Sequence, residues 1–146
     1  MGVDVSTAIV INRPAVDVAA FASDPDNVPK WYANIKSIEW VTAPPMAVGS
    51  RLAFVANFLG RRLTYTYEVV EWEPGMRLVM RTAEGPFPME TSYTWAPTAD
   101  NRTRMVLRNR GVPSGFAAWT APLMAMAIRR ANRGDLARLK ARLENG

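Results

Sequence analysis

The side chains able to do chemistry in this chain are defined first by what is missing. Among its 146 residues there is no cysteine and no histidine. Without imidazole, the usual general base at neutral pH and the commonest metal ligand are gone. Without thiol there is no disulfide framework and no thiolate nucleophile. Ser-His-Asp triads, Cys-His pairs and zinc sites are therefore excluded, and neither a metal nor a cofactor is expected. Carboxylates, tyrosines, arginines and amides remain. Glu68, Glu84 and Glu90 fall on strand positions that read as solvent-facing, and Asp135 falls beside the apolar stripe of the last helix rather than on it. Tyr65, Tyr67 and Tyr93 take the opposite parity. With a pKa of about 10 a tyrosine is a poor base at neutral pH, but it can donate a hydrogen bond. Asn132 is the most informative polar position. It is an amide on an apolar stripe, and unpaired it would cost roughly 1–3 kcal/mol. No constellation here demands catalysis, so binding is favoured over acid–base chemistry.

The elements that must position these residues follow from period. On a wheel at about 100° per residue, Met124, Ile128, Leu136, Leu139 and Leu143 form one stripe, which predicts a long helix over Ser114–Glu144. Arg129, Arg130, Arg133 and Lys140 take the opposite side and should be solvated. Phe116, Trp119, Leu123 and Met126 make the first half apolar nearly all round, which calls for burial on more than one side. That half reads either as a gate over a cavity or as a dimer face, leaving monomer or homodimer open.

Ahead of it, Val3–Ile11 alternates as a strand. Pro14 opens a short helix whose buried face reads as Val16, Ala19, Ala20 and Phe21. Asp24 caps a second helix, with Pro25 in its first turn and Val28, Trp31 and Ile35 turned inward. Six strands follow in hairpin succession: Ile38–Thr42, Arg51–Leu59, Leu63–Trp72, a strand around Leu78–Thr82, Met89–Trp95 and Thr103–Arg110. The expectation is an α+β fold in a single domain, 1–146. A curved seven-stranded antiparallel sheet grips the long C-terminal helix, with two short helices after the first strand. A curved sheet cannot touch a straight helix along its whole length, so a hollow opens between them. Inward parity assigns its lining to Phe54, Phe58, Tyr65, Tyr67, Met80, Tyr93, Met105, Leu107, Met124, Ile128 and Asn132.

Four segments resemble a known family. Asp24-Pro25-x-Asn27-x-Pro29-x-Trp31 is similar to its helix-to-helix turn, and Val48-Gly49 to the small turn before its third strand. Val69-x-Glu71-x-x-Pro74 followed by Leu78 resembles its mid-sheet hairpin. Asp135-Leu136-x-Arg138-Leu139-Lys140-x-Arg142-Leu143-Glu144 resembles its terminal helix. The family is the START-like, or SRPBCC, superfamily in its polyketide cyclase/dehydrase-type branch. The resemblance implies a helix-grip (START-like/Bet v 1-like) fold with an apolar cavity. It also implies binding or transport of a hydrophobic small molecule that is lipid-, sterol- or polyketide-like. The alternative is a polyketide cyclase/dehydratase-type enzyme using the same cavity.

The net charge of +5 invites a nucleic-acid reading. However, the arginines alternate with apolar residues, as in Arg104-Met105-Val106-Leu107-Arg108-Asn109-Arg110, which is how the wet face of a sheet reads. No nucleic-acid partner is expected. The N-terminal stretch lacks a basic segment followed by an apolar core, and no run approaches the length of a membrane span. A cytoplasmic location is the resulting expectation.

Overall fold

The structure is a computed structural model that describes residues 2–58, 60–85, 88–111 and 121–145. Strand β1 (Val3–Ile11) is followed by α1 (Ala15–Ala22), a 3-10 turn (Pro25–Asn27) and α2 (Val28–Trp31). Then come β2 (Ile35–Trp40), β3 (Arg51–Phe58), β4 (Arg61–Glu73), β5 (Arg77–Glu84), β6 (Met89–Pro97), β7 (Thr103–Gly111) and α3 (Ala121–Asn145). The seven strands form one antiparallel sheet in the order β1-β7-β6-β5-β4-β3-β2. Sequential hairpins build β2 to β7, and β1 closes the sheet by pairing with β7 from Val3↔Gly111 to Ile11↔Thr103. This is the α+β helix-grip architecture expected.

Local chemistry explains the joints. Asp24 accepts a hydrogen bond from the Asp26 N–H at 3.0 Å, capping the 3-10 turn as its type and position suggested. Gly75, at φ 81°, supplies the left-handed residue of the β4–β5 turn. Register shifts between Ile35 and Ser37 in β2, and at Thr66/Tyr67 and Val69/Glu71 in β4, bend the sheet round the helix.

The two halves of α3 are held differently. Leu136, Leu139 and Leu143 are buried in the main core with Ile11, Trp31, Met105 and Leu107. Each such side chain contributes about 1.5–3 kcal/mol by leaving water. Polar ties fix the same half. Arg13 donates to the Leu143 carbonyl at 2.8 Å, Lys140 to the Val10 carbonyl at 2.8 Å, and Arg138 Nε to the Trp31 carbonyl at 3.0 Å. The other half packs Met124, Ala125 and Ile128 against a small separate cluster, Val3 and Val5 of β1.

Three local expectations are corrected. In α1 the buried residues are Val18, Ala19 and Ala22, whereas Val16 is 68% exposed and Ala20 is exposed. The i, i+1, i+4 face won because that is the side on which α1 docks on β6 and β7. Strand β2 begins at Ile35 rather than Ile38, because Ile35 pairs with Ala56 across the bulge. Leu123 and Met126 are exposed at 67% and 63%, so burial on that side of the helix is not met within the single chain. Phe116 and Trp119, and the helix start expected at Ser114, lie outside the described residues.

Candidate functional site

A partly open cavity of about 150 Å³ lies between the concave face of the sheet and the first half of α3. It forms there because the second half of α3 is sealed onto the core by its leucines, while the first half packs on Val3 and Val5 of the edge strand β1. Of the residues expected to line it, Phe54, Tyr65, Tyr67, Met80, Tyr93, Met124, Ile128 and Asn132 do so. Met105 and Leu107 do not. Both are fully buried in the main core with Leu136 and Leu139, under the sealed half of the helix. The Phe58 side chain lies outside the described residues.

The aromatic wall is a mutual cluster. Phe54 and Tyr65 stack with ring centroids 5.1 Å apart and planes 4° from parallel. Tyr67 meets each of them edge-on, at 5.4 and 5.0 Å. The strand register produces this geometry, since Phe54 of β3 sits directly across from Tyr65 of β4, with Tyr67 two residues along the same face.

Polar groups gather at two places in the wall. Thr91 donates to Asn109 Oδ1 at 2.8 Å, so at its 2.8 Å contact with Tyr67 the phenol is the donor and Thr91 the acceptor. Burial pushes the Tyr67 phenol up to about 12. Elsewhere the Tyr32 and Tyr93 hydroxyls lie 2.8 Å apart. Two phenols carry two protons and that contact uses one, so one remains to donate. Burial, with smaller contributions from neighbouring groups that include the Asp135 charge, pushes both phenols well up. Burial likewise raises Tyr65, whose hydroxyl has no partner among the described residues. All four phenols therefore stay protonated at neutral pH, as donors and not as bases.

Two α3 residues complete the wall. Asn132 is 4% exposed, and its Nδ2 finds no acceptor among the described residues. The other buried polar atoms without a partner there, on Thr7, Trp31 and Trp95, belong to residues off the cavity wall. Asp135 corrects the sequence reading. It is 2% exposed and reaches the cavity, because the segment after α2 packs over its flank. Its Oδ1 accepts from the Ala33 N–H at 3.1 Å and from Arg138. Burial raises its pKa, opposed by those two partners. Tyr32, Asn34 and Thr91 also line the cavity and were not singled out in the sequence. Thr91 shares the inward parity of Tyr93, which was the signal available. Among the described residues no three carboxylates come together as a metal site, and no helix is long and apolar enough to cross a membrane.

Residues 2–144 match the family model described as polyketide cyclase/dehydrase and lipid transport. The chain belongs to this family. Solved structures of similar fold include a protein from Thermus thermophilus (21% identity, TM-score 0.84, 97% of each chain covered). Another is the Zhui aromatase/cyclase from Streptomyces sp. R1128 (16% identity, TM-score 0.83, 99% of this chain and 94% of that one). A third is a START superfamily protein from Mycobacterium smegmatis (15% identity, TM-score 0.80, 97% of each). No curated protein matches the sequence. At these identities the neighbours show the fold of this polyketide cyclase/dehydrase and lipid transport family member and nothing finer.

Proposed function

We propose that the protein binds a hydrophobic, ring-containing small molecule between the sheet and α3, with the ring against Phe54, Tyr65 and Tyr67. One observation carries the reading: a buried amide, Asn132, whose Nδ2 has no acceptor among the described residues, sits in the wall of a mainly apolar, aromatic-lined cavity. An empty apolar cavity of about 150 Å³ is the size that accepts benzene, so this one holds one ring inside while the rest of a larger ligand emerges through its opening. The polar atom of such a ligand is an oxygen that accepts from Asn132 and from the spare proton of the Tyr32–Tyr93 pair. Leaving Asn132 unmet would cost roughly 1–3 kcal/mol, which a ligand oxygen recovers on binding.

A second reading, cyclase or dehydratase chemistry in the same cavity, is supported by Asp135, a carboxylate on the same wall as Tyr32 and Tyr93. It is the weaker reading. The phenols are held protonated, and Asp135 Oδ1 is already engaged by Ala33 and Arg138. Calorimetric titration with 2-naphthol tests the binder: one site is expected, and it is lost in Ile128→Trp, which fills the space. A folded Ile128→Trp variant that binds as before sinks the reading. A poly-β-keto mimic whose product distribution is unchanged by the protein separates binder from enzyme.

A further inference from the structure

The outer face of α3 carries groups that the cavity does not use. Leu123 and Met126 stand exposed on the side of the helix away from Met124 and Ile128. At about 100° per residue, Arg130 and Arg133 continue that face along the helix, and Arg129 flanks it. From Ala121 to Gly134 the helix bears these three arginines and no acidic residue. The ion pairs of α3 among the described residues, Arg138–Asp135 and Lys140–Glu144, both lie further on. Arg61 and Arg62, exposed at the start of β4, precede Leu63, which shares the cavity wall with Met124. Arginines thus neighbour cavity-lining residues on two elements, β4 and α3.

We propose that this face docks the protein on an anionic lipid bilayer. Leu123 and Met126 enter the boundary between headgroups and acyl chains, while Arg129, Arg130 and Arg133 pair with lipid phosphates. A helix with exposed apolar residues and arginines on one side and no acid suits such an interface. Two apolar side chains alone are too few for stable insertion, so the arginines are required and the attachment is reversible. A second copy of the chain fits less well, because a two-fold contact through this face gathers three arginines from each copy into one interface with no acid between Ala121 and Gly134 of either helix to offset them. Docking brings the cavity, on the other side of the same helical turns, close to a reservoir of apolar molecules. That consequence rests on the binder reading; the docking itself does not.

Co-sedimentation with vesicles of phosphatidylcholine alone, or of phosphatidylcholine with phosphatidylglycerol, tests the proposal without any cavity ligand. The protein sediments with the second kind only, and high salt releases it. Arg130→Gln/Arg133→Gln weakens binding about 25-fold, from about fivefold per arginine at an anionic surface. Leu123→Asp abolishes binding while circular dichroism stays unchanged. The proposal is overturned by absence from both pellets, by arginine variants that sediment like the parent, or by a concentration-dependent doubling of mass that Leu123→Asp removes. The last result would assign the face to a second copy.

Discussion

Replacing Asn132 with leucine separates two roles that a buried amide can play. Asn132 is 4% exposed and its Nδ2 has no acceptor among the described residues. In the ligand-free protein the amide is then a net cost of about 1–3 kcal/mol, a burden that leucine of similar size removes. Leucine also adds a few tenths of a kcal/mol of helix propensity. With an unfolding entropy of about 2.1 cal/mol/K per residue, a chain of 146 residues changes Tm by about 3 °C per kcal/mol. Asn132→Leu is therefore expected to raise Tm by roughly 4–10 °C in calorimetry. The same variant should bind 2-naphthol about 5–10-fold more weakly while binding naphthalene as before, since one neutral hydrogen bond is worth about 1 kcal/mol. A fall in Tm would mean that the protein itself satisfies the amide. A rise in Tm with naphthol binding untouched would mean that no ligand oxygen meets it. Either result refutes the argument.

Four further outcomes follow from the same geometry. Because burial raises the pKa of Asp135 in the folded state, the native protein holds that proton more tightly than the unfolded chain does. Its contribution to stability therefore falls as pH rises from the ordinary value of 3.8 through the raised pKa. Denaturant titrations should show Asp135→Asn gaining on the parent across that window, and a constant difference would contradict the assignment. Glu90 is the opposite case: burial pushes it up, but bonds from Arg81 and Arg110 outweigh this and hold it below its ordinary value. Its stabilisation is present above 4.5 and is lost as pH falls through the lowered value. Since both arginines are well exposed, Glu90→Gln should cost only about 0.5–1 kcal/mol at neutral pH. Leu139→Ala, in the sealed half of α3 and fully buried, should cost about 2–5 kcal/mol in urea unfolding. Leu123→Ala on the exposed face should stay within about 0.5 kcal/mol.

The sequence by itself determined what depends on local period and local chemistry. The two-residue alternation of a strand put Leu52, Phe54 and Ala56 on one buried face, and the Leu136, Leu139, Leu143 spacing defined the sealed stripe of α3. Asp24 before Pro25 marked a capped turn. Those signals act over a few residues and are written in the chain. What parity cannot say is which part of a concave face is filled and which is left open. Met105 and Leu107 share the parity of the cavity residues yet belong to the core, because the half of α3 that bears Leu136 and Leu139 lies over that part of the sheet. Asp135 reached the cavity wall only because the chain after α2 covered its flank, with the Ala33 N–H and the Trp31 carbonyl engaging Asp135 and Arg138. Leu123 and Met126 were apolar enough to suggest burial but found no wall within the single chain. In each case the deciding fact is which element distant in sequence stands within a side chain's reach, and that is fixed only when the sheet closes round the helix.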